Sequence, residues 1–209
     1  MRKFNLFLIL VLFSLVIACF IKLSVLYIPK DEINMTTVKD VKADEKMEEN
    51  IAIGGAETLF DGTIENKATN IRIAAEAVNE FVIPVSKVFS FNQVVGETTL
   101  EKGYKYGDTF VKTNQGTKIV QGIGGGICQV SSTLYMACKK AGLEIIERAP
   151  HSMEVSYCTR EDEAAISYGW LDYKFKNNTE SSIVIRTHIL NNDSNVPYKL
   201  ICEIYKVAK

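Results

Sequence analysis

Gly122-Ile123-Gly124-Gly125-Gly126-Ile127-Cys128-Gln129-Val130-Ser131-Ser132-Thr133-Leu134-Tyr135 organises the rest of the chain. The glycines break any regular pattern, and a helix is predicted from about Cys128 to Ala141. Gly142 stands where a C-terminal glycine stop belongs. Cys128 therefore opens a helix directly behind a glycine loop. The partial positive charge of a helix start favours a thiolate. Glycines leave room for a substrate backbone, and the first N–H groups of the helix are free to hold an oxyanion. The stretch offers a nucleophile and charge stabilisation together. The bland alternative is a small buried cysteine at a tight turn. A phosphate-cradling loop does not fit, because its lysine-Ser/Thr ending is missing.

Upstream, Thr69 or Asn70 can cap a helix to about Phe81, with Ile71, Ala74, Ala75, Val78 and Phe81 on one face, ended by Pro84. Val85 to Phe91 is strand-like. Asp108–Lys112 and Thr117–Gln121 flank Asn114-Gln115-Gly116, a hairpin pattern. Downstream the candidate strands are 143–148, 153–158, 164–168, 171–175, 182–189 and 198–207, with turns at Asn177-Asn178 and Asn191-Asn192. Helices precede strands and connections are short. The expected class is α+β, with a largely antiparallel sheet and a nucleophile-bearing helix.

A thiol nucleophile needs a base. The chain has two histidines, His151 and His188. His151 follows the helix and one strand, so the chain can return past Cys128. His188 alternates with Arg186 on a strand, and a solvated face is its simplest reading. A third group should orient the imidazole. Asp172 is the first choice, with Glu163 behind it. Arg148 could bind a peptide carboxylate, and the Tyr157 hydroxyl could bond a site group, although both also read as plain strand-face residues. Five cysteines is an odd count, so a disulfide framework cannot use them all. Cys138 lies about 15 Å along the same helix from Cys128, too far to bridge. Cys158 and Cys202 could pair but read more simply as small apolar residues. No metal or other cofactor is called for.

Arg2 and Lys3 precede an apolar run from Phe4 to Ile21, and Leu23 to Ile28 continues it past Lys22. The run is long enough to span a bilayer, and its positive start favours a cytoplasmic N-terminus. The expectation is a single-pass anchor over 1–28, a membrane location and an extracytoplasmic C-terminal domain. Rival readings are a lipoprotein with Cys19 as its modified residue and a cleaved signal peptide. Residues 29–56 carry four basic and seven acidic residues and no aromatic, and read as a flexible tether. The folded domain is expected over 57–209, with 17 basic and 18 acidic residues. That balance argues against a nucleic-acid binder. The oligomeric state is not readable.

Further segments carry a resemblance. Val88-Phe89-Ser90-Phe91-Asn92, Val95-Gly96, Gly103-Tyr104, Gly122 to Tyr135, Ala141 to Ile145, Glu147-Arg148, Pro150-His151-Ser152, Ala164-Ala165 and Asp172 to Asn177 together resemble the VanW family, over roughly 70–190. The family commonly has an aspartate before the paired small residues. Here Glu163 holds that position, and the adjacent Asp162 could substitute by a one-residue slip. The resemblance implies a cell-envelope L,D-transpeptidase acting on peptidoglycan stem peptides. Cys128 would attack, His151 would move the proton, and backbone N–H groups near Gly126 to Gln129 would hold the oxyanion. Gly125, Gly126, Gln129, Ser131, Arg148 and Tyr157 are the expected substrate-binding residues. A cysteine peptidase or carboxypeptidase on the same peptides would use the same nucleophile and base. A non-catalytic wall-binding module would instead have a buried Cys128 and a distant His151.

Overall fold

A computed structural model describes residues 51–191 and 197–208. The expected anchor at 1–28, with Cys19, and most of the tether lie outside these residues. Among the described residues no helix is long and apolar enough to cross a membrane. The turn expected at Asn191-Asn192 runs into residues 192–196, also outside them.

All strand pairing is antiparallel, which agrees with the expected α+β class. β1 (Ile51–Phe60), β9 (Tyr198–Lys206), β8 (Ile183–Leu190) and β2 (Phe81–Ile83) form a four-stranded sheet in that order. β3 (Val88–Ser90), β7 (Lys174–Lys176) and β6 (Glu144–Glu147) form a second sheet, and β4 (Tyr106–Thr113) and β5 (Gly116–Ile123) form the hairpin. Three helices intervene: α1 (Glu65–Val78), α2 (Phe91–Val95) and α3 (Cys128–Lys140). β1 begins within the stretch read as tether, so residues 51–56 are sheet.

α3 forms where expected and buries Val130, Leu134, Ala137 and Cys138 in the core with Leu200, Cys202 and Ile204. Gly142 follows with φ +69°. β1 approaches α3 backbone to backbone. A Cβ on Gly54 would stand 2.4 Å from the Ala137 carbonyl oxygen, so a side chain there would force the helix off the sheet.

α1 starts four to five residues earlier than Thr69 or Asn70 and carries the expected face of Ile71, Ala74, Ala75 and Val78. Asn70 does not cap it. Its buried amide ties two neighbouring loops together, as described below. The helix stops well before Pro84. Glu80 adopts φ +56°, its N–H donates to the Ile185 carbonyl at 2.8 Å, and Phe81 to Ile83 join β8.

Two expected strands, 153–158 and 164–168, do not form. The second has other partners for its backbone. The Ala164 N–H donates to Ser132 Oγ (2.9 Å) and the Ala165 N–H to the Ala149 carbonyl (2.9 Å). Only Ser167 and Leu171 bridge there, closing a tight turn.

Candidate active site

The glycine loop is fixed from three sides. Gly124 and Gly126 have φ of +86° and +104°, a region that L side chains rarely occupy. A Cβ on Gly125 would stand 2.4 Å from the Gly107 carbonyl carbon of β4, so the two backbones pack directly. Asn70 Nδ2 donates to the carbonyls of Gly125 (2.9 Å) and Lys105 (3.0 Å), and its Oδ1 accepts the Lys105 N–H (2.7 Å). Sequence reading missed this role. The signal was a polar residue inside the apolar face of α1.

Cys128 follows this loop as the first residue of α3, and its thiol donates to the Ile166 carbonyl at 3.6 Å. The expectation that a helix start depresses this thiol's pKa does not hold. Burial pushes it above the ordinary cysteine value, against a smaller opposite pull from hydrogen bonding to the backbone of Ile166 and of Cys128 itself. The Cys128 side chain rests as a neutral thiol. The N–H groups of Ile127 and Gln129 already donate to Gly124 and Gly126. Among the described residues the N–H groups of Gly125, Gly126 and Cys128 have no backbone acceptor.

His151 is buried, with 5% of its surface exposed, beneath Phe110 of β4. Its loop is closed by Arg148, which donates from Nε to the Glu163 carbonyl (2.5 Å) and from Nη2 to the Arg160 carbonyl (2.6 Å). Arg160 Nη1 donates in turn to the His151 carbonyl at 3.2 Å. The Glu163 carboxylate, almost fully buried, accepts the His151 backbone N–H on Oε2 at 2.6 Å. The same oxygen lies 3.2 Å from His151 Nδ1. This is ion-pair distance without hydrogen-bond alignment, and Nδ1 has no other partner among the described residues. On the far side of the ring, Nε2 lies 3.3 Å from the Tyr157 hydroxyl. Burial lowers the His151 pKa below the ordinary imidazole value, Arg160 and Arg148 act the same way, and Glu163 opposes them. The ring is neutral at pH 7 and able to accept a proton. Burial is the main cause that pushes the Tyr157 hydroxyl far up, and the nearby Cys128 sulfur adds to it.

Glu163, His151 and Tyr157 thus form one line, and the Cys128 sulfur is near enough to Tyr157 to add to the upward push on its hydroxyl. Among the described residues no hydrogen bond joins Cys128 to His151 directly; Tyr157 stands on the nitrogen that would serve as base. Asp172, the first choice for the orienting carboxylate, is elsewhere. It accepts from Ser90 Oγ (2.6 Å), the Asn92 N–H (2.9 Å) and the Tyr173 N–H (2.8 Å), tying β3 and α2 to β7. No slip to Asp162 is needed either, since Asp162 pairs with Lys139.

The expected substrate-binding residues divide. Gly125 and Gly126 form the loop that leads into Cys128. Gln129 is buried, and its Nε2 donates to Thr58 Oγ1 (3.0 Å) and the Leu59 carbonyl (2.9 Å), so it anchors α3 to β1. Ser131 is buried too and donates to the carbonyls of Ala164 (2.6 Å) and Cys128 (3.0 Å). With Ser132 it holds the Ala164–Ile166 segment against the thiol. Arg148 braces the histidine loop instead of facing a ligand. His188 is exposed, as expected, beside Glu203. Cys128, Cys138, Cys158 and Cys202 are all free thiols, so Cys158 and Cys202 do not pair. Among the described residues no group of three or more His, Cys, Asp or Glu is placed to hold a metal ion.

A family model described as VanW like protein matches residues 66–200, a range that contains the glycine loop, Cys128, His151 and Glu163. The chain belongs to the VanW-like family. Two relatives are the uncharacterized protein YoaR of Bacillus subtilis, 40% identical over 134 residues, and the Vancomycin B-type resistance protein VanW of Enterococcus faecalis, 32% identical over 126. The matches cover 64% and 58% of this chain and 43% and 44% of those relatives. The aligned segments thus span less than half the length of the curated relatives. No solved structure matches. Within the VanW-like fold described here, the thiol, the glycine loop and the histidine loop meet at one end of α3.

Proposed function

We propose that this VanW-like chain is a cysteine-dependent acyltransferase of the cell wall, an L,D-transpeptidase acting on peptidoglycan stem peptides. The observation that carries the reading is the line Glu163–His151–Tyr157 with the Cys128 sulfur near Tyr157, behind the glycine loop that opens α3. The thiol proton passes to the Tyr157 oxygen as the Tyr157 proton passes to His151 Nε2. The sulfur bonds to the carbonyl carbon between diaminopimelate and terminal D-Ala. The oxyanion is held by the N–H groups of Gly126 and Cys128. The C–N bond then breaks, and His151, acting through Tyr157, returns the proton to the leaving D-Ala amine. An amine of a neighbouring stem attacks the thioester, a 3–3 link forms and the thiol is restored. A neutral resting thiol suits this scheme, because the sulfur becomes nucleophilic only when a base acts on it. The same proposal puts the domain outside the cytoplasm, held by a single-pass anchor over residues 4–28; the apolar run from Phe4 to Ile21, resumed after Lys22, supports it.

The test incubates the full chain with a disaccharide-tetrapeptide and follows products by mass spectrometry. A 3–3 dimer that disappears in Cys128→Ala is the expected result. A tripeptide alone would assign the site to hydrolysis. Unchanged substrate would overturn both and leave a non-catalytic module, and turnover that survives Cys128→Ala would overturn both by removing Cys128 from the chemistry.

A further inference from the structure

The chain contains a single tryptophan, and it is 92% exposed. Trp170 stands at the tip of the turn that follows the thiol's backbone partner. Ile166 accepts from Cys128, and the next residue, Ser167, opens the turn that Leu171 closes. The turn is rigidly built. The Ser167 N–H donates to the Leu171 carbonyl (2.8 Å), and the N–H groups of Leu171 and Trp170 both donate to the Ser167 carbonyl (2.9 Å each). Asn92 Nδ2 donates to the Leu171 carbonyl at 2.9 Å. Tyr168, half exposed, lies on the same turn. A large ring held on a fixed backbone yet left in water is an apolar surface without a cover.

These aromatics border a cleft of about 630 Å³, within the roughly 300–1,000 Å³ range of small-ligand sites. Its lining also includes Glu147, Asp172, Lys174, Asn92 and Gln93, with Leu171 beside the aromatics. Lys174 Nζ lies 2.8 Å from Glu147 Oε2 and 3.7 Å from Asp172 Oδ2, so its charge is taken up by the two carboxylates. The cleft thus offers donors and acceptors beside aromatic rings and, among the described residues, no free cation for a phosphate. Aromatic rings over paired donors and acceptors match a neutral polyhydroxylated ring.

We infer that the cleft under Trp170 is a glycan subsite, binding an N-acetylhexosamine of a β-1,4-linked strand with a pyranose face on the Trp170 ring. The choice of a wall glycan rests on the proposed function, since stem peptides hang from such strands. The subsite would hold the strand while the peptide reaches Cys128 along the 166–171 segment.

The single tryptophan makes the test direct. Chitotriose, a β-1,4-linked N-acetylglucosamine trimer, is titrated into the full chain while Trp170 fluorescence is followed, with calorimetry in parallel. The expected result is a saturable fluorescence change, and calorimetric affinity lowered about tenfold or more by Trp170→Ala and less by Trp170→Phe. Absence of saturable binding, or an affinity unchanged in Trp170→Ala, would overturn the inference. So would a blue shift on anionic lipid vesicles without any response to chitotriose, which would make Trp170 a membrane-interface residue. Turnover separates the two proposals. Trp170→Ala should raise KM for the disaccharide-tetrapeptide at unchanged kcat and leave a sugar-free tetrapeptide unaffected. Turnover without chitotriose binding sinks the subsite alone; binding by a protein inert at Cys128 sinks the acyltransferase alone.

Discussion

The Tyr157 hydroxyl lies 3.3 Å from His151 Nε2, so a hydroxyl occupies the nitrogen that would serve as base. If this hydroxyl relays the proton, Tyr157→Phe should lower kcat by about 10²-fold with little change in KM, the scale of one lost proton-transfer group. Steady-state cross-linking rates would check it. A faster variant would mean that Tyr157 only shields the base.

The two carboxylates should behave differently. Glu163→Gln removes the charge behind Nδ1 and should lower kcat by about 10²- to 10⁴-fold. Asp172→Asn replaces the Oδ2 acceptor, which takes the Ser90 hydroxyl hydrogen bond beside Lys174 Nζ, with an NH2 donor and should cost about 1–3 kcal/mol of stability, with the pH profile unmoved. Paired thermal-melt and rate measurements distinguish the two.

Burial holds His151 below its ordinary pKa, so its neutral, proton-accepting form persists below the usual imidazole range. The acid limb of kcat/KM should have its midpoint below about 6.5. Glu163→Gln should move it lower still, because the group favouring the charged ring is gone. Stability follows the same sign. The unfolded chain takes up this proton first, so the contribution of neutral His151 is present above about pH 6.5 and fades as pH falls through that value. Unfolding midpoints across that window, compared with His151→Gln, would reveal the difference.

A thiol raised above its ordinary value should alkylate slowly at neutral pH. Iodoacetamide labelling of Cys128 should accelerate above about pH 8.5, the ordinary thiol pKa. Peptide mapping by mass spectrometry separates it from Cys158. Fast labelling at pH 7 would contradict a neutral resting thiol.

Gly125→Ala should destabilise the protein by about 1–3 kcal/mol and slow turnover, since the added carbon meets the β4 backbone. Chemical unfolding provides the check.

The sequence made one half of the site legible. Glycines before a helix and a cysteine at its start are local features, and Cys128, α3 and Gly142 follow from them. The β4–β5 hairpin was equally local. The choice of carboxylate was not. Asp172 and Glu163 are both acids near β-rich segments, and only the Arg148 clamp, which folds 148–163 back on itself, brings Glu163 onto His151. The missing strands at 153–158 and 164–168 have the same origin. Their alternation is real, but Ser132 and Ala149 take the backbone partners of the second one. Polar residues inside α1 and α3 misled in a related way: Asn70, Gln129 and Ser131 serve loops and strands distant in sequence, which no local pattern reports.

The pairing of β1 with β9, Ile51 opposite Lys206 and Phe60 opposite Tyr198, sets an order in time. On a ribosome, the first strand emerges long before its hydrogen-bonding neighbour exists. Until β9 arrives, β1 has no sheet to join, and α3 lacks one of the two strands it packs on. The sheet therefore closes only after β9 has been made, and contacts of such long sequence separation close slowly.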